Sequence, residues 1–225
     1  MRASTLGSVR LAFLLPAFGL AAACTGSLFK SELPVPQTYR LAPLPVESPP
    51  AAPFDALILV GRPAAAPGLD TERIAVLRSD RRLDYFAGSQ WGAALPDVVQ
   101  EVVIESLQNT GRLRGVERDL GSFRPDFVLR LDVRAFQAEY AGDGAPLAHV
   151  DLVATIGRLN DRSSVLSFTA SASGNAESNT MTAVAAALDK ALQSATRSVL
   201  ADTIEYIGRA GAAHGTTQSA PPNPK

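Results

Sequence analysis

The residue with the most definite chemistry is Cys24, the only cysteine among 225 residues. It follows Leu20-Ala21-Ala22-Ala23, the kind of small residues that a lipoprotein signal peptidase accepts, and its thiol is the group a diacylglycerol transferase modifies. Ahead of it come Arg2 and Arg10, then an apolar run of 13 residues from Leu11 to Ala23, with no acidic residue before Glu32. That run has the length of a signal-peptide core, about 7–15 residues, and falls short of the roughly 20 that span a bilayer. One feature departs from the favoured pattern: position −3 is Ala21, with the leucine one step further back. An ordinary secretory signal with a nearby cysteine is the bland alternative, but the placing of the only cysteine favours lipidation. Thr25 stands where an aspartate signals inner-membrane retention, so the expected residence is the periplasmic face of the outer membrane, held by acyl chains.

Little else in the sequence has the makings of a reactive centre. Histidine occurs at His149 and His214 only. His149 lies two residues from Asp151 on the same side of a strand, which resembles half of a catalytic pair, but a solvated strand residue is the reading its surroundings favour. Gly88-Ser89-Gln90-Trp91-Gly92 lacks the G-x-S-x-G spacing of a nucleophile elbow. With two histidines and one acylated cysteine, a metal would depend on carboxylates, and these show no ligand spacing. No phosphate-cradling glycine motif is present. The expectation is a protein that is not an enzyme, with no cofactor and no metal. Removing Arg2 and Arg10 leaves 19 basic residues (21 − 2) against 22 acidic ones, a balance of −3, and lysine occurs only at 30, 190 and 225. Nucleic-acid binding is therefore not expected.

These residues must be positioned by elements that the hydropathy pattern outlines. Residues 1–23 read as the signal peptide, 24–37 as the lipidated N-terminus and tether, 38–207 as one domain, and 208–225 as a disordered tail. Within the domain, Ala56–Val60 reads as a buried strand, and 73–77 with 82–86 as a hairpin about Arg78–Arg81. From Trp91 to Thr110 the apolar residues recur at three and four, the mark of an amphipathic helix ending at Gly111, with Pro96 either kinking it or marking its first turn. Val99, Val103 and Leu107 are the expected core stripe, with Leu188 and Leu192 nearby, while Glu101 and Glu105 form a solvated face. Phe127–Arg134 alternates and loses phase at Ala135–Phe136, so a bulge is expected there. Residues 149–159 and 164–172 form the next strand pair about Asn160–Arg162. Thr180–Ile207 is a closing helix stopped by Gly208. The sum is an α+β fold: one mixed or antiparallel sheet with two main helices packed on one face.

Four segments, in order, resemble the PqiC-like ABC-transport auxiliary lipoproteins, which accompany MCE-type intermembrane lipid transporters. They are Tyr39-Arg40-Leu41; Leu57–Val60 followed by Pro67–Ile74; Leu83–Phe86 leading to Trp91 and its helix; and Leu131–Phe136 with the alanine-rich closing helix. The resemblance implies an outer-membrane-anchored adaptor for a transporter with an MCE-domain component as partner, and no catalytic residues. Tyr39, Tyr85 and Trp91 are its structural signature, read as packing aromatics. Leu69, Asp70, Thr71 and Glu72, at the end of the proline-bordered loop 62–71 and just past it, are the candidate partner-contact residues, with turn chemistry as the plainer reading. Self-association into a homo-oligomer is a further expectation. A free-standing lipoprotein binding a small apolar ligand, and a structural lipoprotein of envelope assembly, are the alternative readings.

Overall fold

The long strands follow from period-two alternation. The computed structural model describes residues 35–46, 52–119, 121, 124–159 and 165–217, with side chains as far as 211. In β-strand order the chain forms β1 (Gln37–Tyr39), β2 (Phe54–Val60), β3 (Ala64–Ala65), β4 (Arg73–Leu77), β5 (Leu83–Trp91), β6 (Leu113–Glu117), β7 (Phe127–Glu139), β8 (Leu147–Arg158) and β9 (Val165–Asn175). Two helices complete it, α1 (Leu95–Asn109) and α2 (Met181–Thr217). Cys24, the 1–23 segment, the Asn160–Arg162 turn and the end of the chain past 217 lie outside the described residues.

Among the described residues all nine strands belong to one mixed sheet with β7 at its centre. One edge of β7 pairs antiparallel with β8 along its whole length, and β8 pairs likewise with β9. The other edge carries three short parallel partners end to end: β2 on 127–129, β3 on 132–133 and β4 on 137–139. Beyond them lie β6, parallel to β2, and β5, antiparallel to β4, with β1 parallel to β5. A register shift between Val133 and Ala135 is the expected bulge, and it returns Phe136 and Ala138 to the buried face.

Both helices share one core with the sheet, and their contact with each other places them on the same face. Val99, Val103 and Leu107 of α1 and Leu188 and Leu192 of α2 are fully buried, as the stripe requires. The opposite face of β7–β9 carries Arg130, Asp132, Thr155, Ser167 and Ser171, none of them buried.

Several expectations need correction. Trp91 ends β5 rather than beginning the helix, because α1 starts at Leu95 with Pro96 in its first turn, where the missing N–H costs no hydrogen bond. Gly208 does not stop the closing helix; α2 continues to Thr217, so the segment expected to be disordered from 208 begins as helix. One glycine costs a helix only about 1 kcal/mol, and the stripe continues through Ile207, which is buried. In the stretch between β1 and β2, Leu41 and Leu44 are buried. Leu44 N–H donates to Ser106 Oγ at 2.9 Å and its carbonyl accepts from Asn109 Nδ2 at 2.6 Å, fixing the segment across α1.

Candidate functional site

The loop between β3 and β4 turns at a glycine, Gly68, whose backbone conformation favours that residue. Gly68 has φ +87, and a Cβ there would stand 2.6 Å from Leu83 Cδ2 and 3.2 Å from Tyr85 Oη. Its carbonyl accepts a hydrogen bond from the Tyr85 hydroxyl at 2.9 Å. The Arg73 guanidinium lies 3.5 Å from the centre of the Tyr85 ring, a cation–π contact. Tyr85 is thus half-buried and braces the loop.

The four candidate contact residues that follow divide. Leu69 is 3 % exposed and belongs to the core. Asp70 and Glu72 are exposed, and Thr71 is half-buried. The backbone of this stretch holds the start of α1: Leu95 N–H donates to Thr71 O at 3.0 Å, and Trp91 N–H to Glu72 O at 2.7 Å. Ala94, the residue before the helix, supplies no side-chain cap. The loop carbonyl at Thr71 therefore does for the α1 terminus part of what a serine or aspartate would do.

Charge closes the same corner. Arg62 reaches Asp70 at 2.8 Å and Asp97, in the first turn of α1, at 2.7 Å. The hydrogen bond from Arg62 holds the Asp70 carboxyl below the ordinary carboxylate value, and the two carboxylates raise the affinity of Arg62 for its proton. All three side chains are largely exposed, so this fork orients the loop more than it stabilises the fold. The three signature aromatics sit nearby. Trp91 is 1 % exposed and packs edge-on against Phe136, with centroids 5.7 Å apart. Tyr39, on β1, is registered opposite Trp91 and packs partly against the core.

Between the segment after β1 and α1 lies an open cleft of about 420 Å³. Its walls combine apolar Tyr39, Leu41, Val98 and Val102 with charged Glu105 and Arg118, and Arg118 pairs with Glu101. Glu101 is therefore exposed but engaged rather than merely solvated. Sequence reasoning missed this cleft and the Arg62 fork, because both join residues far apart in the chain. The one available signal for the fork was Asp97 in a first helical turn next to Pro96.

The remaining sequence candidates do not join this corner. His149 lies on the open sheet face, half-buried, with Nδ1 2.8 Å from Glu139 Oε1. Its partner is Glu139 of β7, diagonal to it in the ladder (His149 is registered opposite Gln137), and not Asp151. Among the described residues no group of three His, Cys, Asp or Glu is arranged to hold a metal ion, and no helix is long and apolar enough to cross a membrane.

Comparison with known proteins gives three findings. A family model described as ABC-type transport auxiliary lipoprotein component matches residues 39–200. The crystal structure of protein XCC0632 from Xanthomonas campestris, of the DUF330 family, is 26 % identical and superimposes with a TM-score of 0.70, covering 78 % of this chain and 99 % of that one. An uncharacterized protein at 14 % identity (TM-score 0.57, 75 % and 99 % covered) and the hypothetical protein CT253 from Chlamydia trachomatis at 9 % (TM-score 0.50, 68 % and 98 %) share the fold. No protein of curated function matches.

Proposed function

Since the chain belongs to the ABC-type transport auxiliary lipoprotein family, we propose that it is the outer-membrane-anchored adaptor subunit of an MCE-type intermembrane lipid transport system. The observation that carries this reading is the extent of the match, 39–200, which takes in the sheet and most of both helices, together with the lipobox cysteine upstream. From Cys24 to Val35 is 11 residues (35 − 24), enough extended chain to reach about 36–40 Å. A domain held on such a tether from the periplasmic face meets a partner within the periplasm.

The exposed carboxylates at the α1 corner, Asp70 and Glu72, are the contact residues we assign to that partner, an MCE-domain component. Leu69 is left out because its burial gives it a packing role. The cleft beside α1, at about 420 Å³, is in the size range of small-molecule sites and favours a second reading, a lipoprotein binding a small apolar ligand.

The test is crosslinking of the full-length anchored protein in intact cells, with identification of what is attached. Recovery of an MCE-domain protein by the wild type, lost in Glu72→Lys while anchoring and melting temperature stay unchanged, supports the adaptor role. Cys24→Ala is the control that removes the anchor. Bound lipid with no protein partner would replace the adaptor reading by the second one.

A further inference from the structure

The acidic stripe of α1 is answered by cations at two of its three positions. Asp97, Glu101 and Glu105 recur every fourth residue, so they stand on one face of the helix over about 12 Å. Arg62 pairs with Asp97, and Arg118 with Glu101. Arg118 is held for this role: its Nη1 donates to Gln100 Oε1 at 3.3 Å, and Gln100, 4 % exposed, donates in turn to Val60 O at 2.9 Å. Glu105 is half-buried and has no ion-pair or hydrogen-bond partner among the described residues.

All three carboxylates line the open cleft beside α1, and the opposite wall is the chain passing through and out of β1. Thr38 and Tyr39 are consecutive in that strand, so their side chains point to opposite sides, and a cleft bordered by both meets the strand at its backbone edge. β1 is terminal in the sheet: it pairs with β5, and no other described strand pairs with it. Between this edge and the stripe the lining is apolar, with Leu41 and Val102 buried and Tyr39 and Val98 half-buried.

We propose that the cleft seats an extended segment of a partner protein, added beside the free edge of β1, with apolar side chains over Leu41, Val98 and Val102 and a lysine or arginine at Glu105. Strand addition supplies backbone hydrogen bonds, and alternate side chains supply selection. The 12 Å of the stripe matches roughly four extended residues at about 3.3 Å each, so the segment is short. Charge decides its sign. Across the cleft and the adjoining corner four acidic side chains (70, 97, 101 and 105) stand against three arginines (40, 62 and 118), and the unanswered carboxylate is the one inside the cleft. Arg40, exposed and also unpaired among the described residues, is met by a carboxylate beside the basic residue of the segment. An apolar small molecule would cover Glu105 and leave it without a partner, which costs free energy that a basic side chain does not. The inference rests on the adaptor reading for the source of the segment, because Arg62 joins Asp97 of the cleft wall to Asp70 of the corner assigned to the transporter component.

For the test, full-length anchored protein with Val98 replaced by the photocrosslinker benzoylphenylalanine is irradiated in intact cells, and the attached peptide is mapped by mass spectrometry. We expect attachment to one short segment of a transporter component, with lysine or arginine between apolar residues. Glu105→Lys is expected to cut the yield at least about tenfold and Glu105→Gln by less, both with the wild-type Tm. Changing the basic residue of the segment to glutamate should restore attachment to Glu105→Lys. Attachment to lipid alone or to a second copy of this chain, a yield indifferent to Glu105→Lys, or a mapped segment without a basic residue overturns the inference. The same crosslinker in place of Glu72 separates the two readings. Attachment of a transporter component there, with none at 98, overturns the cleft and keeps the adaptor. A basic segment captured at 98 from a protein outside any transporter keeps the cleft and overturns the adaptor, and no attachment at either position overturns both.

Discussion

Replacing Gly68 by alanine tests whether the β3–β4 loop is a built corner or a slack connection. Two costs follow from the structure. At φ +87 an L-residue with a Cβ pays roughly 1–2 kcal/mol of backbone strain. The new methyl would also lie 2.6 Å from Leu83 Cδ2 and 3.2 Å from Tyr85 Oη. Relieving those contacts moves Leu83 or the bracing tyrosine, costing about 1–3 kcal/mol more. The sum is about 2–5 kcal/mol, a large share of the roughly 5–15 kcal/mol that holds a domain folded. For a chain of this length that corresponds to a fall in Tm of about 5–15 °C. Gly88→Ala and Gly142→Ala calibrate the two causes. Gly88 has φ +63 but open space around its Cβ, so it isolates the backbone cost of about 1–2 kcal/mol. Gly142 has neither constraint and should leave Tm unchanged or slightly raised. Thermal and urea melts of the three variants provide the assay. If Gly68→Ala melts within 1–2 °C of Gly142→Ala, roughly half a kcal/mol, the loop is not held as described.

Val103→Asp places a carboxylate on a fully buried site of α1 and should cost several kcal/mol, read as a large loss of urea midpoint; an unchanged midpoint would reject the facing of the helix. Arg62→Ala should return the Asp70 carboxyl to its ordinary value of 3.8, visible by carbon-detected NMR titration of its side chain. Because the native value is depressed, the contribution of this pair is complete above 3.8 and is lost as pH falls through the depressed value. Wild type and variant should therefore differ at pH 6 and converge in strong acid, and addition of salt should narrow the difference.

Local patterning made much of this fold legible. The β4–β5 hairpin, the β7 bulge, the β8–β9 pair and the buried stripe of α1 all rest on spacings within about 15 residues. Trp91 was misplaced because an aromatic that closes a strand also fits the first position of a 3.6-residue repeat, and only the loop carbonyls at Thr71 and Glu72 decide between them. β6, Leu113–Glu117, escaped notice because Gly115 breaks its alternation; a Cβ there would stand 2.6 Å from Leu57 Cδ1, so the end of that side chain would have to shift. β1, at the boundary between tether and domain, was not picked out, since three residues joined to β5 across fifty others carry no period of their own. The α1 corner was half legible. The loop and its residues could be picked out, but not that Leu69 turns inward or that Arg62 bridges to Asp97 across 35 positions.

The central place of β7 bears on the order in which the molecule can form. β2, β3 and β4 all precede it and all rest on one of its edges, with Ile58 joined to Phe127 and Leu77 to Glu139. Loops of some sixty residues must close before those pairings are rewarded, whereas β7, β8 and β9 meet through short connections. A chain that emerges N-terminus first therefore shows the apolar run Ala56–Val60 to its surroundings until Phe127 arrives. During that interval the run is an unpaired apolar strand, the kind of segment that aggregates. The speed with which β7 follows β2 out of the translocation machinery is then as much a condition of yield as the stability of the finished sheet.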